Sequence, residues 1–162
     1  MGDRNTPDAI DRKLIGLLTK DGRRPVRELV EKLGVSNPTL HSRMKNLIQT
    51  GVLKIAGLVN PFKTPDLIMA LVAIQIDDDN MLQTALEEIA ALDEVHSAYA
   101  VTGRFDIFAE VVFSGGMESL YQFVSKKLPA LSYIADSESF VIMKAKNKWV
   151  MLPEELENWK NE

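Results

Sequence analysis

The chain has 162 residues, 46% of them hydrophobic, with no cysteine, two histidines and a formal net charge of −4. The lack of cysteine excludes disulfides, thiolate metal ligands and thiol nucleophiles, and two histidines do not supply a histidine-rich metal site. No apolar run approaches the roughly 18 residues of a membrane span, and the first residues lack the apolar core of a signal peptide. We therefore expect a cytoplasmic protein.

The charges divide unevenly along the chain. Residues 1–60 carry eleven basic and six acidic side chains, a formal charge of +5. The remaining residues carry eight basic and seventeen acidic side chains, a formal charge of −9. This asymmetry indicates a module that faces nucleic acid, joined to an acidic partner module. Two unrelated fluctuations of charge would be the alternative.

Two short helices are predicted first. Asp8 or Thr6 can cap a first helix, which ends at Asp21-Gly22. Pro25 begins a second helix, since the first helical turn does not use the N–H that proline lacks. The apolar residues at helical spacing are Ile10, Leu14, Leu17 and Leu18 in the first helix, and Val26, Leu29, Val30 and Leu33 in the second.

A third helix follows a turn of about three residues. Gly34 ends the second helix, Ser36 can cap the third, and Pro38 fits its first turn. This arrangement is typical of a helix-turn-helix whose second helix enters a DNA major groove. An ordinary capped surface helix would also fit this segment alone. The apolar stripe of the third helix consists of Leu40, Met44, Leu47 and Ile48.

The exposed faces of the third helix carry the candidate DNA contacts. Side chains opposite the stripe, such as Pro38, point outward, and the first turn usually enters the groove deepest. His41 lies beside the stripe, where we expect half-buried packing rather than base reading. We expect base-edge contacts from Asn37, Thr39 and Ser42. Phosphate contacts are expected from the basic residues Arg23, Arg24, Arg43 and Lys45.

Residues 52–59 are predicted as a short β-segment, either a wing or a hinge. We favour a hinge, because the next six residues, Asn60 to Pro65, form a proline-punctuated linker. The predicted organisation is a helix-turn-helix domain over residues 1–52, a hinge strand and linker over 53–66, a second domain over 67–146, and a tail over 147–162.

The second domain begins with an apolar strand. Residues 67–76 are rich in β-branched side chains, as in a strand covered on both faces. The acidic triplet 77–79 then breaks the strand and caps a helix. A divalent-cation loop is the weaker interpretation, because the glycine turn and distal glutamate of an EF-hand are missing. The helix is marked by Leu82, Leu86, Ile89 and Leu92.

A hairpin and a second helix follow. Residues 95–102 and 105–113 are typical of strands, and Gly103-Arg104 predicts a tight turn between them. The next helix begins after Gly116 and ends at Pro129, and residues 132–145 alternate as a final strand. The order is βαββαβ. The predicted fold class is therefore α+β, with a winged-type helix-turn-helix domain and a ferredoxin-like domain.

Both helices of such a domain pack on one face of the sheet and leave the other uncovered. Apolar residues occur at both parities of the strands, so we expect this face to be hydrophobic and covered by a second copy in a twofold dimer. A dimer fits a palindromic site in double-stranded DNA. In the tail, Trp149 and Trp159 flank a predicted short helix that starts at Pro153.

These segments resemble the Lrp/AsnC (leucine-responsive, or feast/famine) family of regulators from about Asp8 to Lys146, with order and spacing kept. The departures are Pro25, where a small polar residue is common, the linker and the tail. In the second half the match is Thr102-Gly103-Arg104-Phe105-Asp106-Ile107, similar to the glycine-x-aromatic-aspartate turn of the family. In the first half the matching segments are Asp11-Arg12-Lys13-Leu14, Asp21-Gly22-Arg23, Glu28-Leu29, Gly34-Val35-Ser36, Arg43-Met44-Lys45-Asn46-Leu47 and Gly51-Val52-Leu53.

The resemblance implies a sequence-specific transcription regulator that dimerises, assembles into octamers or similar rings, and binds an amino acid between dimers. Hydroxyls and backbone N–H groups suit the α-carboxylate of such an effector, and a carboxylate suits its ammonium group. Without the family, Gly103 would be a plain hairpin glycine and Asp106 a turn cap. The implied effector residues are Thr102, Gly103, Arg104 and Asp106 in the turn, with Asp136, Ser137 and Ser139 across the interface.

Two other functions are compatible with this pattern. A chromatin-like architectural protein would bind DNA with weak sequence preference and without a small effector. An enzyme is the third class, because ferredoxin-like domains support many reactions. We find no nucleophile–base pair, metal cluster or phosphate loop in the sequence, and therefore predict no catalytic residue, metal site or cofactor. The expected location is the cytoplasm, in association with the nucleoid.

Overall fold

The computed structural model describes residues 6–153. The chain divides into two units, residues 1–57 and residues 58–162, and each has its own buried core. The first unit contains α1 (Ala9–Leu18), α2 (Val26–Leu33) and α3 (Asn37–Gln49). In the second unit the order is β1 (Leu67–Ile76), α4 (Leu82–Ala90), β2 (Val95–Ala100), β3 (Ile107–Ser114), α5 (Gly116–Gln122) and β4 (Ile134–Val141). This order confirms the predicted α+β class.

The first helix begins with two reciprocal side-chain bonds. Asp8 Oδ1 accepts from the backbone N–H groups of Ile10 and Asp11, both at 2.8 Å. Asp11 Oδ2 in turn accepts from the Asp8 N–H at 3.2 Å, which completes a capping box. The three helices enclose a core of buried leucines, formed by Leu14, Leu18, Leu29, Leu40, Leu47 and Leu53.

Two predictions for this unit are wrong. Ile48 is predicted on the buried stripe, but it is 46% exposed. It lies about 100° around the helix from Leu47, and Leu53 beyond α3 closes the core instead. Residues 52–59 are predicted as a strand, but only Val59 pairs, through two hydrogen bonds with Val150 of 2.8 and 3.0 Å. A strand needs a ladder of backbone hydrogen bonds to a neighbouring strand, and the bridge at Val59 supplies only one pair of residues.

The second unit is a four-stranded antiparallel sheet in the order β2-β3-β1-β4. Alternate residues of β1, such as Val72 and Ile74, lie in the core on one face of the sheet. That core also contains Ile89 of α4 and Leu120 of α5, so both helices cover the same face. The predicted split βαβ topology is therefore confirmed.

Two connections differ from their predictions. The link between β2 and β3 spans residues 101–106 rather than two residues, and the Val101 N–H donates to the Asp106 carbonyl at 2.9 Å. The helix that begins at Gly116 is regular only to Gln122, then continues as a wide π-type turn (123–127) and a 3₁₀ turn (128–130). Pro129 lies in the 3₁₀ turn. Its ring would collide with the carbonyl four residues earlier in a regular helix, so the preceding turn widens.

The second face of the sheet is covered at one end by the segment after β4. Lys148 Nζ donates to Glu110 Oε1 of β3 at 2.5 Å. Next to this pair, a small cluster of buried residues is formed by Met69, Val112 and Val150. The prediction of a fully uncovered face is therefore wrong at this end, because pairing with Val59 holds Val150 against the strands.

The rest of this face carries apolar side chains that are half exposed. Tyr99 of β2 is 48% exposed and Phe140 of β4 is 46% exposed. The helix predicted in the tail continues beyond Pro153, and residues 154–162 lie outside the part of the chain that the structure describes. Across residues 6–153, no helix combines the length and the apolar character that crossing a membrane requires.

Candidate functional site

The break between α2 and α3 has the geometry of a helix-turn-helix. Gly34 ends α2 at a φ of 65°, a left-handed conformation that glycine adopts without steric cost, and its N–H donates to the Val30 carbonyl at 2.9 Å. Ser36 caps α3, because its Oγ accepts from the Thr39 N–H at 3.4 Å. Residues 34–36 therefore separate the two helices, as predicted.

The first half of α3 presents short polar side chains to solvent. An amide, hydroxyls and an ammonium group can serve base edges and phosphates. The Thr39 hydroxyl oxygen lies 2.8 Å from Ser36 Oγ, so the cap already uses part of its capacity. His41 is exposed too, so the half-buried position predicted for it is wrong. The exposed residues among the predicted DNA contacts on α3 are Asn37, Pro38, Thr39, Ser42 and Lys45.

The loop before α2 offers one accessible arginine rather than two. Arg23 is exposed, and its backbone N–H donates to Asp21 Oδ1 at 3.0 Å. The Arg24 side chain is only 16% exposed and forms an ion pair with Glu28. Hydrogen bonding from Lys32, with the charge of Arg24, holds the pKa of the Glu28 carboxyl below its usual range. Arg24 therefore forms an ion pair within the unit, and the phosphate contact predicted for it stays a prediction.

Arg43 lies on the flank of α3 and points back to the start of α1. Its Nη1 donates to Asp8 Oδ2 at 2.7 Å and to Asp11 Oδ1 at 2.8 Å, and its side chain is 26% exposed. Bonds to Asp11 and Asp8 raise the pKa of the guanidinium. The Asp11 N–H and then Arg43 lower the pKa of the Asp8 carboxyl. The guanidinium is thus paired with two carboxylates inside the unit, and the phosphate contact predicted for Arg43 stays a prediction.

Sequence reasoning missed Asp8 and Asp11 as partners of Arg43. The two aspartates stand 35 and 32 residues from Arg43 along the chain. The sequence does show two acidic residues, three positions apart, at the start of a helix. This spacing predicts a capping box, but it does not predict an arginine partner. Asp11 is also buried, and a buried carboxylate needs a charged or hydrogen-bonded partner.

The effector residues predicted in the β2–β3 connection lie on its surface. Thr102, Gly103 and Arg104 are exposed. Gly103 has a φ of 132°, a conformation that residues with a Cβ rarely adopt, so the backbone requires glycine there. The Arg104 guanidinium lies over the Phe105 ring, 5.1 Å from its centroid. The connection therefore presents backbone groups and one cation to solvent.

Asp106 holds this connection against the end of β1. Its Oδ2 accepts from the Ile76 N–H at 2.9 Å, and its own N–H donates to the Ile74 carbonyl at 3.0 Å. One carboxylate oxygen is therefore committed inside the chain. The role predicted for Asp106, binding an ammonium group, is left to its other oxygen, Oδ1.

The remaining effector residues lie on β4, at the same end of the sheet. Ile74 pairs with Ile107 on one side and with Ser137 on the other, so these two positions are about 10 Å apart, two strand spacings. Ser137 and Ser139 lie on the helix-covered face. Asp136 lies on the opposite face and accepts from the Ser137 N–H at 2.8 Å. Within one chain, the turn and the start of β4 thus lie at the same end of the sheet. Asp136, however, lies on the opposite face from Ser137 and Ser139.

A cleft of about 440 Å³ lies at the opposite end of the sheet. It is bounded by the end of β3, the helix beginning at Gly116 and the loop before β2. Lys127 Nζ donates to Glu94 Oε2 across it at 2.6 Å. The volume is in the range of small-molecule sites, which run from about 300 to 1,000 Å³. None of the predicted effector residues lines this cleft.

The acidic triplet after β1 forms a turn. Asp78 Oδ1 accepts from the backbone N–H of Asn80 at 2.9 Å and from its side-chain amide at 2.8 Å. These bonds confirm the turn interpretation for Asp78. Within residues 6–153, no three carboxylate or histidine side chains lie together in a way that could hold a metal ion.

Two family models match the chain, one in each unit. The model described as winged helix-turn-helix DNA-binding matches residues 7–54. The model described as Lrp/AsnC ligand binding domain matches residues 69–149. Together they match every helix and strand from α1 to β4, except for the first two residues of β1.

Known proteins share this arrangement over most of their length. An uncharacterised HTH-type transcriptional regulator of Pyrococcus furiosus is 32% identical over 143 residues, 88% of this chain and 95% of the relative. The leucine response regulatory protein LrpA of Mycobacterium tuberculosis superposes with a TM-score of 0.72 at 26% identity, over 87% of this chain and 95% of that one. A Neisseria meningitidis transcriptional regulator, solved as a complex with L-Met, gives 0.67 at 25% identity over 91% and 97%. The chain belongs to the Lrp/AsnC family of transcription regulators, which are not enzymes.

Proposed function

We propose that this protein is a sequence-specific DNA-binding regulator whose assembly state and DNA affinity respond to an amino-acid effector bound between dimers. One observation carries the proposal. A helix-turn-helix unit with a polar, exposed α3 is joined in one chain to a unit that matches the ligand-binding domain of the family. The surplus of basic side chains in residues 1–60 supports DNA as the partner of the first unit.

The proposed DNA interface is the exposed half of α3 with the loop before α2. Asn37, Thr39 and Ser42 are assigned to base edges, and Lys45 and Arg23 to phosphates. Both basic side chains are exposed and have no ion-pair partner among the described residues. Pro38 adds an apolar surface beside them.

A twofold dimer through the second sheet face is part of the proposal. The half-exposed rings of Tyr99 and Phe140 lie on that face and would be buried by the same face of a second copy. The effector would then lie between such dimers, at the turn of one chain and the β4 start of another. The separation of Asp136 from Ser137 and Ser139 within one chain is compatible with a site completed by another copy. Rings of dimers, such as octamers, follow from repeating that contact.

The DNA proposal is tested by selecting a preferred duplex from a random library and measuring its affinity against random duplex. Asn37→Ala and Ser42→Ala should each weaken the selected duplex by about 5- to 150-fold, the value of one base contact, and leave random DNA unchanged. Gln49→Ala, an exposed change at the end of α3, is the matched control. Equal affinity of the native protein for both duplexes would favour the architectural alternative.

The effector proposal is tested by a thermal-shift screen against the twenty amino acids, with the assembly mass measured for each hit. A ligand present at a hundredfold excess over its Kd stabilises the folded protein by about 2.7 kcal/mol. Arg104→Ala and Ser139→Ala should reduce that shift. If both variants leave the shift of a hit unchanged, the ligand binds at another site, and the 440 Å³ cleft is the first candidate. A flat screen with DNA specificity intact would leave a regulator without a small effector.

The proposal extends to location. A regulator of this kind works on the chromosome, so we place it with the nucleoid in the cytoplasm. A fluorescent fusion should co-localise with stained DNA, and a fusion carrying Asn37→Ala and Lys45→Ala should spread more evenly through the cell.

A further inference from the structure

We propose that Arg43 positions α3 through a clamp formed by Asp8, Asp11 and Arg43, and that this clamp sets DNA specificity without touching DNA. The inference rests on the proposed role of α3 in reading DNA. It adds a determinant of specificity outside the set of residues assigned to base edges and phosphates.

The four carboxylate oxygens of the clamp are divided between two tasks. Asp8 Oδ1 and Asp11 Oδ2 close the capping box at the start of α1. Asp8 Oδ2 and Asp11 Oδ1 both accept from Arg43 Nη1, at 2.7 and 2.8 Å. The capping bonds therefore hold in place the two carboxylates that accept from Arg43. Arg43 is attached to a rigid helix end rather than to freely moving side chains.

The position of Arg43 on α3 gives these bonds control over helix orientation. Around the axis of α3, at about 100° per residue, Arg43 lies about 60° from the buried Leu40. It lies about 100° from Ser42, the next residue before it. The hydrophobic effect that buries the leucines of α3 is itself non-directional, so the polar contacts at the flank add a restraint of a different kind. Two charged hydrogen bonds at the flank are directional. Because base contacts need side chains within about 0.5 Å of the productive position, a fixed rotation of α3 favours the correct sequence.

The net charge of the clamp makes it possible to distinguish a positioning role from a purely electrostatic one. One guanidinium and two carboxylates leave a net charge of −1, which opposes the approach of DNA. Removing one carboxylate should therefore tighten binding to any DNA if charge alone matters. If the clamp positions α3, the same change should weaken binding to the preferred sequence. The two roles therefore predict opposite changes in affinity for the preferred sequence.

The variant that exploits this difference is Asp8→Asn in the full chain. Asparagine caps helices about as well as aspartate, so the capping oxygen is kept while a side-chain NH₂ replaces the acceptor for Arg43. Affinity is measured for the selected duplex and for random duplex over a range of salt concentrations. We expect a loss of roughly tenfold on the selected duplex, the value of one misplaced base contact. Random duplex should bind as before or tighter.

Arg43→Met gives the second readout. The positioning role predicts the same loss on the selected duplex and an unchanged slope of log affinity against log salt. A phosphate contact predicts a slope smaller by about 0.9. Lys45→Met, on an exposed residue of the same helix, is the control that should show this smaller slope on both duplexes. Arg43→Lys keeps the charge on a stem one atom shorter and should recover part of the specificity.

Three outcomes would overturn the clamp. The first is tighter binding of Asp8→Asn to both duplexes, and the second is a reduced salt slope for Arg43→Met. The third is that the losses of these two variants add when both changes are combined in one chain, since the effects of residues in one network should not add. Circular dichroism at the assay temperature establishes that each variant is folded. If the native protein shows no sequence preference, the proposed function fails. If it shows a preference that these variants keep, only the clamp fails.

Discussion

The turn before α3 depends on a single residue, Gly34, whose φ is 65°. No atom lies within 4 Å of the position a Cβ would take, so the cost of Gly34→Ala is backbone strain alone. We expect a loss of about 1–2 kcal/mol in the free energy of unfolding. Gly16→Ala is the matched control, because Gly16 lies inside α1 with open space and without a positive φ. That change should stabilise the unit by about 0.5–1 kcal/mol.

Urea unfolding followed by far-UV circular dichroism measures both changes. The physical argument requires opposite signs for the two glycines, since only one of them stands where a side chain is strained. A similar effect of both alanines on the unfolding midpoint would contradict it.

The clamp also predicts a pH dependence at the residue scale. The pKa of the Asp8 carboxyl is lowered in the folded protein from its usual 3.8, by the Asp11 N–H first and by Arg43 next. A carboxyl with a depressed folded pKa adds stability above its unfolded pKa, and this stability disappears as pH falls through the folded value. The stability difference between native protein and Asp8→Asn should therefore be constant near neutral pH and shrink below about pH 4.

Thermal unfolding of both proteins at a series of pH values measures this difference. Subtracting the variant removes the contribution of the other carboxyl groups. A difference that stays constant down to about pH 2 would mean that Asp8 makes no charge-dependent contact in the native state.

At the scale of elements, Asp106 joins the start of β3 to the end of β1. Asp106→Ala leaves the Ile76 N–H without its partner, and we expect a loss of about 1–3 kcal/mol in the free energy of unfolding. Asp106→Asn keeps an oxygen that can accept this bond and should lose less. Urea unfolding followed by tryptophan fluorescence compares the two. Equal losses would mean that the bond to Ile76 is not what the carboxyl contributes.

The same contact determines how the effector site is tested. An alanine at position 106 changes the strand end as well as any ligand contact. Asp106→Asn removes the negative charge expected to face an ammonium group and keeps the bond to β1. It is therefore the variant in which a lost effector response, with DNA binding intact, can be assigned to the ligand.

At the scale of the whole molecule, two separate cores predict two unfolding events. Residues 1–57 contain no tryptophan, and Trp149 lies in the second unit, so tryptophan fluorescence reports the second unit, whereas circular dichroism reports the helices of both. Leu40 is fully buried in the first core, and Leu40→Ala should cost that unit about 2–5 kcal/mol. The dichroism transition should broaden or split, while the fluorescence midpoint stays unchanged.

Phe123→Ala is the reciprocal control. Phe123 is buried in the second core against Phe113, with ring centroids 5.5 Å apart, so this change should move the fluorescence midpoint. Coincident shifts of both signals for Leu40→Ala would show that the units unfold as one.

The sequence by itself determined the features that depend on near neighbours. The caps at Asp8 and Ser36, the glycine at position 34 and the turn at Asp78 all follow from interactions within a few residues. These local rules were enough for the order of elements and the α+β class, and the order and spacing of the motifs indicated the family. The same rules predicted a regular helix up to Pro129, but they did not predict that the helix widens in the turn before this proline.

Only the tertiary structure decided which polar groups are free. Arg43 and Lys45 look equally suited to phosphate in the sequence, yet Arg43 meets carboxylates more than thirty residues away while Lys45 stays exposed. Asp106 likewise binds the Ile76 N–H at the end of the neighbouring strand β1, 30 residues earlier in the chain. A sequence shows that a side chain is charged, but its partner depends on contacts that form only when distant segments pack. Those contacts decide which charges remain for DNA or an effector.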